Sequence, residues 1–397
     1  MNEKLAEIES LCPDFQYVDD NRIITSIGMT ATFYFWGGHT SEKRQALVDF
    51  FEAYEEAFGI HLKWGCDPDS WATRKFSNAR FPTLRDHVAG LDEDDCVEWH
   101  LSSSAHREEV AQYSITCLTE RGWQRGFISD LQFQLPRDHA FDPHHRKTLD
   151  ELLLRAIETL KPFHGRAGLA AILPEQDVSY EPEAFDLATR YRSLYIPGAG
   201  DLIRAPVGPK SIDWITIVGD VLAERMGGVD ACADYCREIG VIPVRHRQAL
   251  VLRTGATPEI GPVTQTVPAG YVKVDRALRP LRDGAHGSMG GGSSGGEVRF
   301  NRCTSDQWIR RLDQLGAWPP ATPLRLGKVL DGTQPIKKVR LKTGRPSPCY
   351  GRFHRPGTEK FGVILMPGDI APYWLNLGPH GEFLGREAIT WELLAEL

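Results

Sequence analysis

The stretch Ile23–Trp36, IITSIGMTATFYFW, decides the fold class together with the helical pattern directly after it. It alternates, and it is rich in Ile, Thr and aromatic residues, so it reads as a strand or one arm of a hairpin. Gly37-Gly38 ends it. Thr40 or Ser41 then caps a helix that runs to about Gly59. Leu47, Phe50, Phe51, Tyr54 and Phe58 recur at helical spacing, with Glu52, Glu55 and Glu56 between them. A strand is thus succeeded by an amphipathic helix whose carboxylates face water.

Outward from this unit, helices and strands continue to mix. Tyr113–Thr119 and Phe127–Leu135 read as strands; the second, FISDLQFQL, alternates apolar and polar residues. A helix is expected from His144 to Lys161, with Asp142 as its cap and Pro143 in its first turn. Ala167–Leu173 reads as a short buried strand and Glu183–Tyr191 as a helix. Ser211–Gly228, SIDWITIVGDVLAERMGG, reads as a buried helix capped by Asp213 and stopped at Gly227-Gly228. Asp230–Ile239 and Ser305–Leu315 read as helices, and Leu250–Arg253 and Tyr271–Val274 as strands. There is no strict βαβ rhythm, so the fold class is α+β: mixed sheet packed with amphipathic helices.

The tail from about Lys337 differs. It is basic, and its Gly, Pro and aromatic residues place turn signals between short runs, the pattern of a small β-rich module. The proline-rich Gly316–Pro323 marks the boundary. The expected domains are 1–320 and 321–397, with a subdivision of the first near 165–180 left open. Gly284–Gly296, GAHGSMGGGSSGG, is low in complexity and is set aside from fold reasoning.

Composition narrows the function classes. With 41% hydrophobic and 25% charged residues the chain is an ordinary globular protein, not a disordered one. It has no apolar run of about 18 residues, so no membrane span is expected. The start, MNEKLAEIESLCPDF, lacks the pattern of a secretory signal, and a cytoplasmic location is expected. Eight scattered cysteines read as small buried side chains of a reducing compartment. The net charge of −7 is uneven. Residues 1–120 hold 10 Lys and Arg against 22 Asp and Glu, a net of −12, and the remainder carries +5. An acidic front third argues against a grip on nucleic acid, whose phosphates attract cations. It suits a basic protein partner.

Motifs for chemistry are missing. There is no GxxxxGK[ST] and no HExxH, and neither GxGxxG nor a GxSxG elbow stands between a strand and a helix. Ser102-Ser103-Ser104-Ala105-His106 places serine near histidine, but a triad is defined by spatial geometry. His139, Asp142, His144 and His145 group imidazoles with a carboxylate where a helix begins, and the helix cap explains Asp142. Cys232 and Cys236 share a helix face without a second pair of zinc ligands. No catalytic, cofactor-binding or metal-binding residue is therefore expected. The acidic run Asp92-Glu93-Asp94-Asp95 reads as a solvated turn or a partner-binding patch. With Glu52, Glu55 and Glu56 it forms the candidate partner-binding set.

Four stretches carry a resemblance. They are YEPEAFDLATRYRSLYIPG (Tyr180–Gly198), DLIRAPVGPKSIDWITIVGDVLAERMGG (Asp201–Gly228), PAGYVKVDRALRPLR (Pro268–Arg282) and SDQWIRRLDQLGAWP (Ser305–Pro319). In that order they resemble the type VI secretion immunity family, with Ile23–Gly59 matching more loosely. The tail is similar to a small β module on other secretion-associated immunity proteins, although Pro348-Cys349 here reverses the usual cysteine-proline order. The resemblance implies a cytosolic antitoxin that binds a cognate secreted effector, a nuclease, without catalysis of its own. Two other classes compete: a hydrolase or nucleic-acid-processing enzyme whose site joins Asp92–Asp95 with His139–His145, and an effector-delivery adaptor.

Overall fold

The computed structural model describes residues 22–313 except 69, 78–80, 176–180, 199, 283–288, 291–299 and 301; before them 3–11 and 15–16; after them Trp318, Pro319 and the backbone of six strand segments beyond residue 320. Apart from Met289 and Gly290, the Gly284–Gly296 run lies outside the described residues, as does most of the Gly316–Pro323 boundary.

The chain begins with α1 (Glu3–Leu11), β1 (Phe15–Gln16), β2 (Ile23–Phe35) and α2 (Ser41–Phe58). It continues through β3 (Trp64–Cys66), β4 (Thr73–Lys75), α3 (Leu84–Ala89), β5 (Glu98–Ser102), β6 (Ser114–Leu118) and β7 (Ser129–Leu135). Next come α4 (Pro143–Leu160), β8 (His164–Ile172), α5 (Glu181–Arg190), α6 (Asp201–Arg204), β9 (Ile215–Gly219) and α7 (Asp220–Ala223). Last in the body are α8 (Val229–Glu238), β10 (Val244–His246), β11 (Ala249–Arg253), α9 (Ala269–Leu278) and α10 (Arg302–Ile309). The strands join in one antiparallel sheet, ordered β10-β11-β9-β8-β2-β7-β6-β5-β3-β4, with β1 beside β2. The α+β expectation holds.

β2 is the spine of this sheet. It pairs with β7 on one side (Phe33 opposite Leu131) and β8 on the other (Phe33 opposite Gly165). Its alternation sorts side chains by face. Met29, Ala31, Phe33 and Phe35 are fully buried. Helix α2 covers that face: Phe50 and Tyr54 pack on Phe133 of β7 with ring centroids 5.8 and 6.0 Å apart. Each such ring contributes roughly 1.5–3 kcal/mol by leaving water. The Tyr54 hydroxyl donates to the Gln134 carbonyl at 2.9 Å, so its polar end costs nothing. Both long helices start as their caps require. Thr40 accepts from the Lys43 amide, and Asp142 accepts from the amides of His144 and His145, with Pro143 in the first turn.

Two segments differ from the sequence reading. Ser211–Gly228 is not one helix: Ile215–Gly219 is strand β9 between β8 and β11, and only the short α7 and a 3-10 turn come after it. The apolar spacing fits both periods, and the β-branched run Ile215-Thr216-Ile217-Val218 favours the strand. Asp213 is not a cap; it is a buried ion-pair partner. The stop at Gly227-Gly228 stands, with φ of +90° and +99°. Tyr271–Val274 is not a strand but lies in α9, which begins after Pro268. The strands β3, β4, β5 and β10 were not anticipated. Beyond residue 320, β12 (Lys338–Arg340) pairs with β13 (Pro346–Pro348). A separate four-stranded antiparallel sheet runs from β14 (Phe353–His354) through β15 (Phe361–Leu365) and β16 (Tyr373–Leu377) to β17 (Phe383–Ala388).

Candidate partner-binding surface

The four consecutive acids, all exposed, form a tight turn before β5. Two of their carboxylates hold the turn itself. The Asp94 amide donates to Asp92 Oδ1 at 2.8 Å, and the Asp92 amide donates to Asp95 Oδ2 at 2.9 Å. This is the local side-chain-to-backbone bonding that makes Asp a turn residue. Beneath the turn lies Arg44 of α2, buried, whose guanidinium donates to the carbonyls of Leu91, Asp92 and Asp95 at 3.2, 2.6 and 2.8 Å. The cation is used on backbone oxygens, so it orders the turn without forming an ion pair with any of the four carboxylates.

A second loop, between β6 and β7, is stitched to the first. The Gly122 amide donates to the Glu93 carbonyl at 2.7 Å. The Thr119 amide donates to the Val97 carbonyl at 2.9 Å, and the Val97 amide returns a bond to Thr119 Oγ1 at 2.8 Å. The close approach explains a glycine at 122: a Cβ there would sit 3.1 Å from the Glu93 carbonyl oxygen. Glu120, buried, accepts from the amides of Gly37 and Gly38 at 2.6 and 3.0 Å and from the Ser129 hydroxyl. Three loops therefore converge at one end of the sheet: 36–40, 91–97 and 119–128.

The helix acids stand apart. Glu52 lies about 12 Å further along α2 than Arg44. Arg85 of α3 holds it in a fork, with two bonds of 2.8 Å. Glu55 is half-buried, and burial, then repulsion from Glu52, pushes its carboxyl up to about 7. Glu56 is exposed. The structure thus gathers Asp92–Asp95 in one place and sets Glu52, Glu55 and Glu56 further along the helix layer.

The opposite face of the sheet is polar, and much of it is buried. Residues that alternate with the core residues fall into cross-strand rows: His100, Thr116, Gln132, Thr32 and Arg166 in one, and Ser102, Ser114, Gln134 and Thr30 in the next. All of these except Thr32 line a cleft of about 360 Å³, continuous with a second of about 520 Å³ through Ser104, Glu109, Ala111 and Ile172. Burial lowers the His100 imidazole's affinity for a proton. Burial also pushes the Asp130 carboxyl up to about 7. At one end Arg166 pairs with Asp213 at 3.2 Å and lies over the Tyr195 ring. Lys210 there donates to Asp201 at 2.7 Å. Such a face offers hydrogen bonds to a bound segment. Within the Ser102–His106 string, Ser102 and Ser104 lie 3.1 Å apart, hydroxyl to hydroxyl, and Ser104 also donates to the His106 carbonyl, not its ring. The sequence reading missed this cleft; its signal was the Thr, Gln and Asp that alternate through β2 and β7.

The acids and the imidazoles proposed for an enzymatic site are not brought together. The acidic turn lies at the Ser129 end of β7, and His139 comes after its Leu135 end. Around His139, Asp138 accepts from both His139 Nδ1 at 3.1 Å and His145 Nδ1 at 3.0 Å. These three residues place ligating atoms within 4.8 Å of one another, a geometry able to hold a metal ion. Asp142 belongs to the helix cap instead.

Comparisons with known proteins show a family and a fold. The family TsiV, described as type VI immunity for VRR-NUC, matches residues 46–312. Among solved structures, a type VI secretion system protein of Pseudomonas aeruginosa shares the fold with a TM-score of 0.67 at 24% identity, over 78% of this chain and 90% of that one. No curated protein matches.

Proposed function

Because the chain belongs to the TsiV family of type VI immunity proteins, we propose that it neutralises a VRR-NUC nuclease effector by forming a stoichiometric complex with it. In this reading it is not an enzyme, and it acts in the cytoplasm, where an incoming or newly made nuclease must be met. The observation that carries the reading is the family match over residues 46–312, which includes both the acidic turn and most of α2.

Electrostatics supports the choice of surface. A nuclease must present cations to phosphates. Asp92, Glu93, Asp94 and Asp95 offer an exposed, pre-ordered negative turn to such a face, while on α2 the exposed Glu56 adds a charge beside Glu55 and beside Glu52, which Arg85 already pairs. Charges at a rim act mainly on the rate of encounter and on the rejection of wrong partners. No helix among the described residues is long and apolar enough to cross a membrane. We also read the strands beyond residue 320 as a separate small module.

The direct test is co-expression with the cognate VRR-NUC effector. The reading expects the two proteins to co-purify and growth to be restored. Loss of both outcomes, with no co-purification and no rescue, would remove it.

A further inference from the structure

The β6–β7 loop exposes what a monomer ordinarily hides. Trp123 is 64% exposed and Phe127 52% exposed. Phe35 pairs with Ser129, so Trp36, 36% exposed, leaves β2 at the end where this loop returns to β7. Large aromatic side chains dominate binding energy where they are desolvated by a partner, and Trp is among the residues most enriched at such points.

The loop is also held by hydrogen bonds of its own. Arg121 and Gln124 exchange two bonds, the Gln124 amide to the Arg121 carbonyl and the Arg121 amide to Gln124 Oε1, both 2.9 Å. The Arg125 amide donates to the Trp123 carbonyl at 3.0 Å, and the Glu120 amide to Ser129 Oγ at 3.0 Å. Gly126, at φ +84° with open space around it, permits the reversal. A loop held in this way loses little further freedom when a partner arrives. Its neighbour, through the 2.7 Å bond from Gly122 to Glu93, is the acidic turn. Its own cations are Arg121, whose guanidinium reaches Cys96 Sγ at 3.2 Å, and the exposed Arg125.

We propose that Trp123 and Phe127 are the affinity anchors of the contact with the basic nucleic-acid-binding face of the VRR-NUC effector, and that the adjacent Asp92–Asp95 turn steers that face onto them. The inference rests on the reading of function above and names the surface that performs it. The acids set the approach and the aromatics set the lifetime of the complex.

The test uses the full chain and the cognate VRR-NUC effector as a catalytically inactive protein, with binding measured by surface plasmon resonance. The variants are the pair Trp123→Ala with Phe127→Ala, and Ile242→Ala as a control. Ile242 is 82% exposed and precedes β10, at the far edge of the sheet. The double variant should weaken binding at least about thirtyfold, chiefly through faster dissociation, with Ile242→Ala unchanged. Both aromatic side chains are exposed, so the variant's thermal midpoint and circular dichroism should match the wild type. Double-variant affinity within about threefold of wild type overturns the inference and leaves the reading of function standing. Failure of the wild-type chain to bind removes that reading, and this inference with it.

Discussion

Arg166 of β8 and Asp213, just before β9, form an ion pair with 3.2 Å between Nη1 and Oδ2, and both side chains are buried. Each has further partners. Arg166 donates to Thr30 Oγ1 at 2.8 Å, and the Trp214 amide donates to Asp213 Oδ1 at 2.7 Å. The pair therefore ties the spine strand β2 through β8 to the chain entering β9. Replacing such a pair by apolar residues can be neutral, but stranding one member costs about 3–5 kcal/mol.

Gly168 is the position most sensitive to this arrangement. A Cβ there would lie 1.7 Å from Asp213 Oδ1, and pairing with Thr30 of β2 holds the backbone at Gly168. Gly168→Ala is expected to destabilise the chain by about 3 kcal/mol or more, through displacement of the carboxylate from Arg166. Urea denaturation measures it. A loss below about 1 kcal/mol would show that the pair can shift without cost.

Asp130 gives a pH dependence with a definite sign. Burial, reinforced by Asp201, raises its carboxyl from 3.8 to about 7. The folded state then holds the proton more tightly than the unfolded chain. The associated stability is complete below about pH 4 and is lost as pH rises through about 7. Asp130→Asn removes the ionisation. At pH 8 the variant should exceed the wild type by about 1–2 kcal/mol, a figure reduced for the group's partial exposure, and at pH 4 the two should coincide. Denaturant midpoints at the two pH values decide it, and an equal offset at both would refute the assignment.

Much of the scaffold was legible in the sequence, for local reasons. α2 and α4 have strong apolar periods and capping residues, Thr40 and Asp142, that bond as their types require. β2, β6, β7 and β8 alternate or run apolar between clear breakers. β9 was not legible because Ile215, Val218 and Leu222 satisfy a helical period as well as a strand, and only pairing with β8 and β11 selects the strand. α9 misled in the opposite direction through Val272 and Val274. The short β3 and β5 draw their identity from neighbours.

The candidate site was legible in part. The acidic turn was visible as a run of four acids, but Arg44 beneath it could not be seen, since its partners are carbonyls far away in sequence. The alternation of β7 was visible, but nothing local showed that its polar residues Gln132 and Gln134 line a cleft. Trp123 gave no signal because an aromatic residue in a loop is as often buried as exposed, and Phe127 reads as the first residue of a strand that in fact begins at Ser129.

Reversing Glu93 and Asp94 to Lys, while leaving Asp92 and Asp95 to hold the turn, separates steering from anchoring. Association with the effector should slow and lose most of its salt dependence between about 50 and 300 mM, where screening changes strongly. Dissociation should change far less. Stopped-flow or surface plasmon resonance reads both. Association kinetics that match the wild type throughout that range would place the contact elsewhere.

The central claim is neutralisation by one-to-one binding, and nuclease titration tests it most directly. The purified VRR-NUC effector is assayed on its nucleic-acid substrate as this chain is added in increments. Tight binding predicts that cleavage falls linearly and ends at one equivalent. Undiminished cleavage at about a tenfold excess of this chain would contradict the account.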